Sequence, residues 1–536
     1  MIRINQLKLP ISHSRDELVK KAAKTLKISS SQILKLQIIR QSLDARKKPD
    51  LFFVYSVDCS VKSEKQVLKN VRDKNVSLSD TVYYQFPKSG REQLKNRPVI
   101  VGFGPAGLFC GYMLAKAGYY PLILERGQAV EERQKSVDHF WKNGILDPES
   151  NVQFGEGGAG TFSDGKLNTL VKDKDGRGRE VMRIFHEMGA PEEIIYQQKP
   201  HLGTDVLVHI VKNMREQIIA MGGDVRFNAK VTDISFSDNK VSGVEVNHNE
   251  KISADIVILA PGHSARDTFF MLEKRGVSMS AKSFAVGVRI EHPQTLINQS
   301  QYGQEQVEQL GSASYKLTHT AENGHGIYSF CMCPGGYVVN ASSEEGYLAV
   351  NGMSYQSRNS KNANSALIVT VTPDDYTGYG EAAVPESLRG VAFQRYLEKR
   401  AFEAGNGAVP VQLFVDYKKK RVSTEIGQIV PCIKGAYTLS DVRSIFPEFI
   451  GDAIEEGITA FGKKIKGYDR DDAVISGVES RSSSPVRIIR SDSFEAEQMG
   501  LYPCGEGAGY AGGITSAAID GIKIAEAIAK KYMNFL

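Results

Sequence analysis

Arg97-Pro98-Val99-Ile100-Val101-Gly102-Phe103-Gly104-Pro105-Ala106-Gly107 is the stretch on which the fold turns. Val99 to Val101 is a short apolar run suited to a buried parallel strand. Gly102 permits the tight turn out of that strand, Gly104 lets backbone approach a pyrophosphate, and Gly107 lets the next helix pack close to the sheet. The helix expected over Leu108 to Ala117 starts behind Pro105 and Ala106, so its unsatisfied N–H groups face the phosphates. Tyr120 to Leu124 reads as the next strand. Glu125 at its end, 23 residues past Gly102, stands where an acid accepts hydrogen bonds from an adenosine ribose. A bare GxGxxG is a weak signal, but strand, turn, helix, second strand and terminal acid in one run make a Rossmann-type βαβ unit.

Two remote stretches extend that unit. Gly505-Glu506-Gly507-Ala508-Gly509-Tyr510-Ala511-Gly512-Gly513-Ile514-Thr515-Ser516 lies almost 400 residues downstream. It is similar to a flavoprotein motif in which an acid, here Glu506 in place of the usual Asp, hydrogen-bonds the ribityl chain of FAD. A helix from about Thr515 to Lys531 would aim its N-terminus at the flavin pyrimidine ring and favour negative charge there. Between the two, Ile256 to Leu259 followed by Ala260-Pro261-Gly262-His263-Ser264 resembles the segment by which such chains re-enter the nucleotide domain, with Pro261 for the usual Thr. A simple nicotinamide domain closes its site early, so this spacing selects FAD over NAD. His263 is placed near the cofactor, although a lone His is more often structural or exposed.

Residues 151–167 hold five glycines in seventeen positions. Such density costs conformational entropy and suits close backbone approach to a ligand rather than a packed interior. Gly158, Gly160, Thr161, Ser163 and Lys166 are therefore added to the cofactor-binding set, with Lys166 over the ring, where a cation stabilises reduced flavin. Arg126 and Arg133 would contact adenine or pyrophosphate. Arg481 and Arg487 are weighed as grips for an acidic substrate against simple solvation. Together with Gly326 to Gly336 and Ser480 to Arg487, the glycine string resembles a family of bacterial FAD-utilising dehydrogenases. These are NAD(P)/FAD-dependent oxidoreductases, and the resemblance spans essentially the whole chain. It implies FAD as cofactor, NAD(P)H as a transient electron donor, a small-molecule substrate, and hydride transfer between an organic substrate or NAD(P)H and flavin N5. It names no substrate, catalytic residue or oligomeric state.

The wider sequence sets the frame. At 536 residues the chain exceeds one core and suggests about three domains. Its hydrophobic content of 41% and charged content of 24% are those of a soluble globular protein. The N-terminus lacks the layout of a secretion signal, and no apolar run is long enough for a membrane span. Six scattered cysteines suit a reducing cytoplasm. Cys331 and Cys333, two apart on a strand, should point to one face and could pair only with strain. A dithiol relay is weighed for them and packing preferred, and no second CxxC or His pair is spaced for zinc.

Residues 1–90 hold 18 Lys and Arg against 8 Asp and Glu, a balance of +10 beside a body at −5. Strand-like Ile2 to Leu9, a capping box at Ser14 and Glu17 opening a helix to about Leu26, strands over Ile33 to Gln41 and Leu51 to Val61, a second helix capped by Ser63 and Gln66, and a last strand over Thr81 to Phe86 give βαββαβ. That order reads as a ferredoxin-like α+β domain. Its charge could steer it to RNA, which makes an RNA-binding flavoprotein the alternative reading. No aromatic stacking motif supports this, and a solvated face or contact with the acidic body is favoured. The expected architecture is α/β: the domain at 1–90, a discontinuous Rossmann-type FAD-binding domain at 96–270 and 490–536, and an inserted mixed α+β substrate or cap domain at 271–489. Ser283 to Glu291 and Ala366 to Thr372 read as alternating strands of the cap, and Ser387 to Ala404 as its helix. No second GxGxxG announces a separate nicotinamide domain. A non-catalytic FAD-fold binding protein is the least favoured reading, because the pyrophosphate and ribityl motifs are intact.

Overall fold

A computed structural model describes residues 1–381 and 383–536. Its first strand, β1 (Ile2–Pro10), buries Ile2, Ile4, Leu7 and Leu9. Ser14 then closes a reciprocal cap: its hydroxyl accepts the Glu17 N–H at 3.3 Å, and the Glu17 carboxylate accepts the Ser14 N–H at 2.7 Å. This satisfies two orphan donors at the start of α1 (Arg15–Leu26). β2 (Ile33–Lys47), β3 (Asp50–Val61), α2 (Glu64–Asn70) and β4 (Val76–Leu78) follow, and the antiparallel sheet runs β2-β3-β1-β4.

Two expectations for this part are corrected. Ser63 makes no side-chain cap to α2, and the last strand is Val76–Leu78 rather than Thr81 to Phe86. Tyr84 is drawn instead to the body, where its hydroxyl donates to Glu526 at 3.0 Å. The edge strand β2 is docked as well. The Gln41 N–H donates to the Tyr196 carbonyl at 2.8 Å, and the Gln198 N–H to the Gln41 carbonyl at 2.9 Å.

The centre is a five-stranded parallel sheet in the order Leu501–Pro503, Val257–Leu259, β5 (Val99–Val101), β6 (Leu122–Leu124) and Asp224–Arg226. The first four are fully buried three-residue runs, as strands covered on both faces must be. α3 (Pro105–Lys116) and the C-terminal helix Ile514–Lys531 share one apolar core with this sheet. They meet backbone to backbone: a Cβ on Gly521 would collide with the Ala106 carbonyl.

A seven-stranded mixed sheet forms the second large layer. Its central pair, Phe284–Pro293 and Asn362–Val371, runs antiparallel over ten residues. The alternation expected over Ser283 to Glu291 is absent, because both faces are covered. One face packs on the helices Arg389–Gly405 and Glu448–Gly462, and the other holds Arg289, Glu291 and Asn364 beneath the strand Val350–Met353. No helix among the described residues is long and apolar enough to cross a membrane.

Candidate cofactor and substrate site

A cavity of about 470 Å3 opens at the carboxyl ends of β5 and β6 and reaches the seven-stranded sheet. An open parallel sheet leaves its crevice at that end. The glycines at its floor do different jobs. Gly102 sits at φ +96°, and a Cβ there would strike the Ala260 carbonyl. Gly107 has no lining role: a Cβ would strike the Gly102 carbonyl, so glycine lets α3 start against the turn. Gly104 lines the cavity in ordinary extended backbone, and an added Cβ would meet only the Gly158 Cα, at 3.7 Å. Pro105 and Ala106 line the cavity beside it, and no side chain caps the first turn of α3.

Glu125 lines the cavity from the end of β6, 4% exposed. Its carboxylate accepts three backbone N–H groups: Phe103 at 2.7 Å, Gly127 at 2.9 Å and Gly155 at 3.0 Å. The acid thus ties together three loops as well as facing the ligand space. Arg126 also lines the cavity, paired with Asp267 at 2.5 Å and lying over the Phe154 ring. The expectation for Arg133 is corrected. It is wholly buried away from the cavity and donates to the carbonyls of Asn151, Val152, Gly155, Glu156 and Gly158 at 2.6–3.3 Å. It is the internal clamp of the glycine string, which has too few side chains to hold itself.

Of that string, Gly158, Gly160, Ser163 and Lys166 line the cavity. Thr161 does not; it is buried with its hydroxyl toward the Glu156 carbonyl. Lys166 pairs with Asp164 at 2.8 Å and donates to the Met332 carbonyl, so its charge is tethered. Asp164 also pairs with Arg358 and accepts from Ser354. Burial alone would raise this carboxyl, but Lys166 and Arg358 hold it below the ordinary range.

The remote stretches arrive at the same cavity. Gly262, Glu506, Gly512, Gly513 and Ile514 line it. A Cβ on Gly262, Gly512 or Gly513 would find nothing within 4 Å. Gly505 and Thr515 stand behind the lining, and the Thr515 hydroxyl donates to the Leu167 carbonyl at 2.6 Å. The Glu506 carboxyl has no hydrogen-bond partner among the described residues, and burial pushes it up to about 7 against the pull of Lys282. His263 lines the cavity with Nδ1 2.9 Å from the Ser264 hydroxyl. Burial, then Arg481 and Arg266, push its ring down to about 3, so it is neutral at physiological pH. Room for backbone-close approach at four glycines, an unpartnered carboxyl and two uncapped helix N-termini on one cavity fit a flavin dinucleotide.

The opposite wall was largely hidden from sequence reading. Ser329 to Met332 come from a strand of the seven-stranded sheet, Asn351 and Gly352 from the strand Val350–Met353 packed on it, and Ser314 to Lys316 and Arg358 from loops, and no local motif joins them. Gln153 and Ser264, hydrogen-bonded at 3.0 Å, were missed although both lie in quoted stretches. Arg481 lines the cavity, but its guanidinium is engaged by Glu398 at 2.8 and 2.9 Å and by Ser343. Burial alone would raise Glu398, yet Arg266 and Arg481 hold it well below the ordinary range. Arg487 lies off the cavity, over the Tyr510 ring. Cys331 and Cys333 do not share a face: the strand bulges between Phe330 and Cys333, with Cys331 at φ +38°. Cys331 is exposed at the cavity, Cys333 is buried, and both are free thiols.

Residues 283–482, which contain all seven strands of the second large sheet, match the model of the family "FAD-dependent protein, C-terminal domain-like". Residues 1–60 match a domain of unknown function. An uncharacterised protein of Clostridium beijerinckii is 49% identical over 536 residues, 99% of each chain. The thiamine thiazole synthase of Thermotoga maritima is 26% identical over 216 residues, covering 38% of this chain and 72% of that one. Among solved structures, the glycerol-3-phosphate dehydrogenase of Bacillus halodurans complexed with FAD aligns over 82% of this chain and 65% of its own, with 12% identity and a TM-score of 0.35.

Proposed function

The chain belongs to the family of FAD-dependent proteins, and from that premise we propose that it is an oxidoreductase of the dehydrogenase type. In this reading a hydride passes between an organic substrate or NAD(P)H and flavin N5. Bound FAD supplies the two-electron acceptor. The protein's own residues seat it. The first turn of α3 and the bare backbone at Gly104 would receive the pyrophosphate, and Glu125 would take a ribose hydroxyl on its remaining acceptor site. Glu506 would hold the ribityl chain, and the N-terminus of Ile514–Lys531 would face the pyrimidine end, where it favours negative charge.

One observation carries the reading. Gly104, Gly262, Gly512 and Gly513 come from three remote stretches, line one cavity, and each leaves open the space where a Cβ would stand. A packed interior would fill those positions, whereas a ligand requires them empty. We assign 96–270 with 490–536 to the cofactor and 271–489 to the substrate side. Residues 1–90 act as an intramolecular support, a role favoured by the ladder from Gln41 to residues 196–198. The test is an anaerobic absorbance titration of the purified yellow protein with NADH and, separately, NADPH. Bleaching of the flavin bands supports a nicotinamide-linked enzyme, and a yellow protein that does not bleach directs the search to an organic donor. Protein that takes up no FAD refutes the assignment.

A further inference from the structure

Six cations line the cavity among the described residues, and four are ion-paired from within. Arg126 is held by Asp267, Lys166 and Arg358 by Asp164, and Arg481 by Glu398. Lys199 and Lys316 are different: neither has an ion pair or hydrogen bond among the described residues. None of the four lining carboxylates pairs with either lysine: Glu125 accepts three backbone N–H groups, Asp164 is shared by Lys166 and Arg358, Glu479 is paired with Arg289 at 2.8 Å, and Glu506 stands unpartnered elsewhere on the wall.

The backbones carrying these two lysines are nevertheless fixed. Lys199 follows Gln198, whose N–H is bonded to β2, and precedes His201, which bridges to Lys166. Lys316 follows buried Tyr315 and precedes Leu317, whose N–H donates to the Ser329 hydroxyl at 2.7 Å. A third donor joins them. The Asn351 side-chain oxygen accepts from Arg289 and from the Gly352 N–H, both at 2.8 Å. That fixes the amide with its NH2 group unclaimed on the cavity wall. Two unpaired cations and a free donor on the wall of one concavity attract anions there, and a compact ammonium suits carboxylate and phosphate oxygens alike.

We propose that Lys199, Lys316 and Asn351 form an anion subsite on the substrate side of the cavity, which receives a carboxylate or phosphate carried by the molecule that meets the cofactor. The proposal rests on the oxidoreductase reading above. It also gives the N-terminal domain a purpose, since β2 holds the segment bearing Lys199.

The test is calorimetric titration of the FAD-loaded protein with inorganic phosphate and, separately, with succinate, at low salt. Saturable binding of either is expected, tighter for the anion the substrate bears. K199Q and K316Q should each weaken it roughly fivefold, the scale of one exposed charge pair. K20Q, on the outer surface of α1, should leave it unchanged and serves as the control for net charge. Binding of neither anion, or binding that K199Q and K316Q leave intact, overturns the proposal. The flavin bands, read on the same samples, keep the two readings apart. A yellow, reducible protein that binds neither anion rejects the subsite alone, whereas anion binding by a protein whose flavin no donor reduces rejects the oxidoreductase reading alone.

Discussion

Replacing Gly104 by valine separates cofactor seating from folding. The backbone there, φ −73° and ψ −176°, is one that any residue adopts, and the nearest heavy atom to an added Cβ is the Gly158 Cα at ordinary contact distance. The apoprotein should fold with its stability changed by about 1 kcal/mol or less, the stiffer unfolded chain acting in its favour. Valine at Gly107 is the contrast, because its Cβ would drive into the Gly102 carbonyl and press on Ile100. For the cofactor, three new carbons at position 104 occupy the space beside the start of α3. Overpacking costs about 1–3 kcal/mol, and each charge-assisted hydrogen bond lost to phosphate about 1.5–3 kcal/mol more. The sum, about 2.5–6 kcal/mol, corresponds to roughly a sixtyfold to twenty-thousandfold weaker Kd. The assay is titration of each apoprotein with FAD by fluorescence quenching, with urea unfolding in parallel. A G104V protein that binds FAD within threefold of wild type refutes the placement of the pyrophosphate, and one that fails to fold refutes the open space around residue 104.

Other outcomes follow from the same contacts. Arg133→Met strips five buried carbonyls of their donor, so unfolding in urea should show a loss above about 4 kcal/mol. Glu125→Ala orphans three N–H groups and should lower apoprotein stability by about 3 kcal/mol as well as weaken FAD, a loss visible by denaturation before any cofactor is added. Burial pushes the Glu291 carboxyl up to about 7. Its folded-state pKa is therefore raised, and the stability this group contributes is full below the ordinary glutamate range and lost as pH rises toward 7. E291Q should show a flatter stability profile between pH 5 and 8 than wild type. N-ethylmaleimide on the native protein should label Cys331 first, because Cys59, Cys110, Cys333 and Cys504 are buried and Cys432 is half-buried; peptide mass mapping reads the order.

The nucleotide half of the site was legible because its physics is local. A three-residue apolar run, a glycine that must turn and an acid at the next strand's end are fixed by near neighbours, and Val99 to Glu125 falls where that pattern puts it. What was misread depends on contacts far along the chain. Arg133 looked like a ligand for phosphate because an arginine near a phosphate loop has that use; its five carbonyl partners lie 18 to 25 residues on, in a loop whose path no periodicity foretells. Cys331 and Cys333 were placed on one face by the two-residue period of a strand, and a single bulge reverses that. Thr81 to Phe86 has strand-like composition, yet Tyr84 is claimed by Glu526, more than 400 residues away. Of the opposite wall, only Ser329 to Met332 lay in a stretch singled out, Gly326 to Gly336; the remaining pieces come from loops and a short strand with no pattern of their own.

The central sheet is laid down out of order. β5, α3 and β6 are made early, but the edge strand Leu501–Pro503 and the helix Ile514–Lys531 that packs on α3 come some 400 residues later. At about 5–20 residues per second the ribosome needs roughly 20–80 s to bridge that gap. For that interval the nascent chain carries half a cradle, with the α3 surface that Gly521 will cover still bare. Flavin capture thus becomes an event of the last stretch of translation. A chain severed anywhere between Arg126 and Leu501 should be colourless when its first piece is made alone, and turn yellow only if the second piece is expressed beside it.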